Sequence, residues 1–300
     1  MRKLSQFDKK SWLKLTPIKD AFKQLRNGLI LRSYLSKGDN IYQDIVSQDD
    51  RNKTIIISIA FNSPTVVSYL IEHFRKHIKQ AKLIIADNSN KADERLKIKK
   101  LCQNNGILYL QLPPNKTRHP NRSHSLAMQW CYKKIIEPIS PAIFGFIDHD
   151  LIPVADIDIP SLIGEQDFYG ARWKSNKTEA WQLWAGYCFF KYEEVKSYPL
   201  NFMYDFSAGL DTGGRNYEAL YQHYNTSNYS YALDQFLDGE IEGITYRFHR
   251  IDRNWLHLGG AGHRQDFSKN DLAGKMLAKL VETPLNELES HNFKITTRHT

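Results

Sequence analysis

Residues 54–61 read TIIISIAF and residues 142–150 read AIFGFIDHD. In both, apolar and β-branched residues run on without the polar alternation of a half-exposed strand, which predicts strands buried on two faces, as in a parallel sheet. What lies between them fixes the class. Ser63-Pro64 offers an N-cap and first-turn pair opening a helix to about Arg75. A second strand follows at Leu83 to Ala86, then a helix from about Ala92 to Gln103 closed by Asn105-Gly106. Ile107 to Leu112 reads as a third strand. Ser123 is the expected cap of a helix whose Leu126, Ala127, Trp130, Cys131 and Ile135 recur at helical spacing, before the fourth strand at Ala142 to Ile147. Strands and helices alternate through about residue 150, so the expected fold is α/β, a Rossmann-like mainly parallel sheet flanked by helices.

Beyond residue 150 the rhythm is lost and the chain becomes rich in aromatics and glycines, with Trp173, Trp181, Trp184, Tyr187, Phe189, Phe190 and Tyr192 close together. This half reads as a mixed sheet extension whose loops and helices finish a pocket, with an amphipathic helix and a polar tail after about Asn270. A polar run at Asp49-Asp50-Arg51-Asn52-Lys53 separates a leader from the rest. The expected organisation is a basic helical leader at 1–52, the main α/β domain at 53–270, and a C-terminal helix and tail at 271–300.

Length and composition agree with this layout. Three hundred residues, 41% of them hydrophobic, suffice for one large domain with a core, which excludes disorder and coiled coil. The longest apolar runs are a few residues, against the ~18–20 that a membrane-spanning helix needs. Met-Arg-Lys at the start leads into Gln6, Asp8, Lys9 and Lys10 rather than an apolar segment, so no secretory signal is readable and the expected location is cytoplasmic. Cys102, Cys131 and Cys188 lack Cys-x-x-Cys spacing and read as buried reduced thiols. The net charge of +8 and a pI near 9.2 favour an anionic partner without naming one. In the leader, Lys9, Lys10, Lys14, Lys19, Lys23, Arg26 and Arg32 interleave with Trp12, Leu13, Leu15, Ile18, Phe22, Leu25 and Leu29. That pattern suits either peripheral membrane contact or a helix packed on the main domain with a solvated basic face.

In open α/β sheets ligands sit beyond the carboxyl ends of the strands. Here those ends are polar: Asn62-Ser63 after the first strand, Asp87-Asn88-Ser89-Asn90 after the second, and Asp148-His149-Asp150 after the fourth. Carboxylates at i and i+2 of extended chain project to one side, and their hard oxygens can hold Mg²⁺ or Mn²⁺ while leaving positions for a diphosphate. No Gly-x-Gly-x-x-Gly follows the first strand, which disfavours a nicotinamide site, and Gly209 to Asn216 has Arg-Asn where a phosphate loop needs Lys-Ser/Thr. Asp211, in a glycine-flanked loop before an expected helix from Arg215 to Tyr224, is the first candidate general base and Asp205 the second; Asp211 serves equally well as that helix's N-cap. Trp181, Trp184 and Tyr187 offer aromatic faces for stacking on a ligand, or core.

Taken in order, IIISIAFNSP, LIIADNSN, the helix in SHSLAMQW and FGFIDHD resemble the nucleotide-sugar-dependent glycosyltransferases of the GT-A fold, of the family-2 type, from about Thr54 to His263. The resemblance implies a GT-A-type sheet and transfer of a sugar from a nucleotide-sugar donor to a glycan, lipid or protein acceptor, with inversion. It implies that Asp87, with Asn62 and Asn88 nearby, contacts the nucleoside, and that Asp148 and Asp150 bind Mn²⁺ or Mg²⁺ and the sugar diphosphate. Arg118, His119, Arg122 and His124 stand where the family places donor contacts, with a solvated basic loop as the other reading, and Trp184 is a further candidate on the donor side. A late histidine, His257 or else His263 in WLHLGGAGHR, would complete the metal shell.

A sugar nucleotidyltransferase would use the same carboxylates but needs a glycine- and lysine/arginine-rich loop where Asn62-Ser63-Pro64 stands. A non-catalytic basic scaffold on nucleic acid or membrane is the reading from another class. Nucleic acid is not expected, because Asp87, Asp148 and Asp150 would repel phosphate backbones from the crevice.

Overall fold

The computed structural model describes residues 4–38, 50–261, 271–282 and 294–297. Two helices come first, α1 (Lys9–Leu13) and α2 (Thr16–Leu35). The alternating region then gives β1 (Thr54–Ala60), α3 (Pro64–His77), β2 (Ala81–Asp87), α4 (Ala92–Asn104), β3 (Leu108–Gln111), α5 (Pro120–Cys131) and β4 (Ile143–Asp148). It continues through β5 (Leu151–Pro153), β6 (Phe168–Lys174), β7 (Trp181–Lys191), β8 (Asp234–Ile241), β9 (Ile244–Ile251) and β10 (Trp255–His257) to α6 (Leu272–Glu282) and β11 (Lys294–Thr297).

The first sheet has the order β3-β2-β1-β4-β7-β6. β1 to β4 are mutually parallel, and β7 and β6 extend the edge with antiparallel pairs. This is the mainly parallel, helix-flanked sheet that the alternation predicts. The unbroken apolar run of β1 is explained by its two covered faces: Ile56 and Ala60 join the core under α3 and α4, while Ile55, Ile57 and Ile59 join the core under α2 and α5. Local chemistry sets the helix ends. Pro64 sits in the first turn of α3, and Arg75, Lys76 and His77 meet the negative end of its dipole. Gly106, at φ +65°, ends α4, with the Ile107 amide donating back to the Cys102 carbonyl.

In the second half β6 and β7 form the expected mixed extension of the first sheet, and the strands after them join β5 in a five-stranded antiparallel sheet, β11-β8-β9-β10-β5. Glu242 and Gly243, both at positive φ, form the two-residue turn joining β8 to β9. The expected tail thus includes a strand, Lys294–Thr297, paired with β8.

Two helix expectations change. α5 begins at Pro120, capped by His119, whose Nδ1 accepts the Arg122 amide; Ser123 lies inside the helix. The expected helix from Arg215 to Tyr224 is a four-residue turn, Asn216–Ala219, followed by a short 3₁₀ segment. Trp181 and Tyr187 belong to the core: Trp181 stacks on Tyr221 at 4.6 Å, and the Tyr187 hydroxyl donates to Asp252 at 2.8 Å. Cys102, Cys131 and Cys188 are buried free thiols.

Candidate active site

β4 and β5 belong to different sheets, and only His149 and Asp150 separate them. Asp148-His149-Asp150 is therefore the seam between the two sheets. β10 pairs with β5 in a register that sets His257 opposite Leu151, next to Asp150. The His257 Nε2 atom lies 3.4 Å from Asp150 Oδ1 and 3.9 Å from Asp148 Oδ2, and the ligand atoms of all three residues fall within 4.8 Å of one another. His124, on the first turns of α5, brings its Nε2 to 3.7 Å from Asp148 Oδ1. Two oxygen donors and one nitrogen donor at this spacing fit a hard or borderline divalent ion. The trio is a candidate divalent-cation site.

Close packing holds it together. Gly186 on β7 has no room for a side chain, since a Cβ there would stand 2.6 Å from Asp148 Oδ2 and closer still to the Trp184 ring. Trp184 is stacked on Trp173 at 5.3 Å and flanks His257 at 4.7 Å.

A hydrogen-bonded chain runs behind the trio. Asp234 Oδ2 accepts the Trp173 indole N–H at 3.0 Å, and Asp234 Oδ1 is 2.7 Å from His249 Nε2. His249 Nδ1 in turn faces His257 Nδ1 at 2.8 Å. A carboxylate only accepts, so His249 carries a proton on Nε2, and a neutral His249 then accepts at Nδ1 from the His257 Nδ1–H. The His257 Nε2 atom is left facing the carboxylates, the arrangement a metal-ligating histidine requires.

The electrostatics match a cation seat. Burial pushes Asp148 up, and the Asp150 charge adds to this against His124, His257 and His149. Burial acts the same way on Asp150, but the charge and hydrogen bond of His257, His149 and the Ala261 amide outweigh it and hold that carboxyl below its ordinary range. Burial lowers His257, and the charge of Asp150, its hydrogen bond and Asp148 more than reverse it.

The trio opens into a cavity of about 600 Å³, within the range of small-ligand sites. Asn88, Arg118, His124, Trp184, Asp211 and the trio line it. Asp211 stands exposed at the rim, accepting from Asn121 Nδ2 and the Thr212 amide. The N-terminal turn of α5 contributes Pro120, Asn121 and His124, so its dipole faces the cavity.

Other expected site residues are placed elsewhere. Asp87 is fully buried, accepting from the Ser89 amide at 2.8 Å and the Tyr109 hydroxyl at 2.9 Å. Asn62, at φ +51°, accepts from the amides of Asn90 and Lys91, so these two residues shape the loop that presents Asn88 and do not line the cavity. His119 stacks on Tyr204. Arg122 turns to the leader, donating to Asn27, Thr117 and Tyr204. Asp205 closes its own turn, accepting from Ser207 and the Ala208 amide. His263 lies outside the described residues. Sequence reasoning missed Asp234 and His249, because their alignment depends on the registers of β8, β9 and β10. The Glu242-Gly243 pair before the alternating run Ile244 to Phe248 was the available signal for that hairpin.

No family profile matches the chain, and no curated protein matches it in sequence. Among solved structures it is similar to TarS of S. aureus, at 14% identity over 50% of this chain and 30% of that one, with a TM-score of 0.36. It is also similar to the mannosyltransferase PcManGT from Pyrobaculum calidifontis, in complex with GDP-Man and Mn²⁺, at 11% identity over 65% of this chain and 60% of that one, with a TM-score of 0.36. The chain thus spans between 30% and 60% of these structures' own lengths.

Proposed function

We propose that this protein is a metal-dependent glycosyltransferase that moves a sugar from a nucleotide-sugar donor to an acceptor hydroxyl. The observation that carries the reading is the Asp148, Asp150 and His257 trio at the seam of the two sheets, opening into a cavity with cationic groups along one wall. Asp148, Asp150 and His257 would hold Mn²⁺ or Mg²⁺, which supplies positive charge to a leaving diphosphate. Arg118 and the N-terminal turn of α5 add to that charge without needing the ion, since amide dipoles and a guanidinium both favour phosphate oxygens. Asn88 offers an amide to the nucleoside or ribose, and Trp184 a ring edge to the sugar.

Asp211 is the group we assign as base. An exposed carboxylate at the cavity rim can take the acceptor hydroxyl's proton as its oxygen bonds to the sugar carbon and the diphosphate departs from the opposite face, which gives inversion. The Asn121 amide holds it in place.

The test is release of nucleoside diphosphate from a panel of UDP-, GDP-, CDP- and ADP-sugars, with Mn²⁺ or with chelator. One donor should be consumed only with metal, with Asp150→Asn inactive and folded. Metal-independent turnover, or full activity in Asp150→Asn, contradicts the reading.

A further inference from the structure

Of the eleven large apolar side chains exposed among the described residues, eight lie between Leu4 and Leu29. The surface of the catalytic region carries three, Leu96, Phe206 and Ile244, scattered singly as on any soluble domain. The leader instead presents a contiguous stripe. In α2, Ile18, Phe22, Leu25 and Leu29 follow i, i+4, i+7, i+11 spacing and share one face; Phe22 is 69% exposed, Leu25 63% and Leu29 57%. Trp12, Leu13 and Leu15 prolong it toward α1.

The helix is held firmly by its other side. Pro17, Asn27 and Tyr34 are buried, and Asn27 donates to the Tyr204 hydroxyl at 2.9 Å while accepting from Arg122. Tyr34 donates to the Pro113 carbonyl, and Arg215 to Gln24. The stripe is therefore a fixed outer face and not a helix awaiting its place in the core.

The charges say what covers it. At 100° per residue, Lys19 and Arg26 border the stripe on one side and Arg32 on the other. The only acidic residue of α2, Asp20, falls on the opposite side of the helix and bonds Lys23 loosely at 3.9 Å. An apolar centre with basic flanks complements an anionic lipid surface, into which the apolar groups sink while the cations meet headgroups. Two copies packed stripe to stripe would instead bring Lys19, Arg26 and Arg32 against their own like charges.

We propose that the outer face of α1 and α2 docks on an anionic bilayer, with Phe22, Leu25 and Leu29 inserted and Lys19, Arg26 and Arg32 on the headgroups. Leu29 also borders a groove lined by Lys116, Thr117 and Arg118, residues that line the cavity as well. Docking therefore carries that wall of the site to the lipid surface. The inference stands without the proposed transfer reaction, since it concerns binding alone.

Sedimentation of the full chain with vesicles tests it, using phosphatidylcholine alone and equal parts phosphatidylcholine and phosphatidylglycerol. The protein should pellet with the anionic vesicles, less so as salt rises. Phe22→Glu/Leu25→Glu should partition about 100-fold more weakly, because two inserted apolar groups are lost and two charges face anionic lipid. Its melting temperature should match the wild type, since both side chains are exposed. Absence of binding to anionic vesicles, equal binding to both vesicle types, or equal binding by the double variant overturns the proposal. So does a wild-type dimer that the double variant converts to monomer, which would assign the face to a second copy.

Discussion

Gly186→Ala adds one methyl group where β7 passes the candidate cation site. The new Cβ would lie 2.6 Å from Asp148 Oδ2, and reaching the ordinary contact of 3.4 Å requires about 0.8 Å of movement. Trp184, which stands even closer, cannot yield freely because it is stacked on Trp173 and braced by His257. The displacement therefore falls largely on the Asp148 carboxylate, one of the three candidate ligand groups. Overpacking of this kind costs about 1–3 kcal/mol, a fall of several degrees in melting temperature. A ligand displaced by most of an ångström should weaken Mn²⁺ binding at least ~10-fold and slow transfer about 100-fold. Electron paramagnetic resonance of free Mn²⁺ reads the affinity, and calorimetry reads the melt. Gly28→Ala in α2 is the matched control: a Cβ there meets nothing within 4 Å, so it should leave Mn²⁺ affinity alone and add about 0.5–1 kcal/mol of stability. Wild-type affinity and an unchanged melt in Gly186→Ala would refute the packing argument.

Removing the chain behind His257 should act through metal affinity: His249→Asn or Asp234→Asn is expected to weaken Mn²⁺ binding about 10- to 100-fold, and equal affinity would show that His257 needs no positioning. Arg118 and Arg122 should separate cleanly. Arg118→Ala should weaken nucleoside diphosphate binding about 10-fold with little effect on the melt, whereas Arg122→Ala should cost about 1–3 kcal/mol of stability and leave that binding unchanged; the reverse pattern would contradict the placement. Asp50, buried between Lys82 at 2.7 Å and Lys53 at 3.2 Å, ties the start of β1 to β2. Burial would raise its carboxyl, but the hydrogen bonds and charges of Lys82 and Lys53 hold it below the ordinary range. Its contribution, on the order of 1 kcal/mol after allowance for the solvated lysines, is complete above the unfolded value of about 3.9 and lost as pH falls through the lower folded one. Asp50→Asn should narrow the gap between melts at pH 7 and pH 3; an unchanged gap would exclude the linkage.

How much of this was legible in the sequence depended on how local the information is. The first sheet could be read because each strand of the alternating region declares itself: TIIISIA is buried on both faces and must be apolar throughout. Asp148-His149-Asp150 could be read because its two carboxylates sit together in sequence. The second sheet could not, since β5 has three residues, β10 three and β11 four, too short for periodicity to register. Its loss hid the reason for His257, which only the resemblance supplied and which the β10–β5 register explains. Asp87, Arg122 and Asp205 show the complementary limit. Their types suit a ligand site, yet Tyr109, Asn27 and Ser207 engage them first, and those partners lie in other elements or in turns whose closure the sequence does not display.

The central claim is that Asp148, Asp150 and His257 seat a divalent ion for a nucleotide-bound diphosphate. Its most direct test is titration calorimetry of UDP, GDP, CDP and ADP into the wild type and Asp148→Asn, each with and without Mn²⁺. One nucleoside diphosphate binding only with Mn²⁺, and lost in the folded variant, is the predicted result; metal-independent binding of equal strength in both proteins, or no nucleotide binding at all, would contradict it.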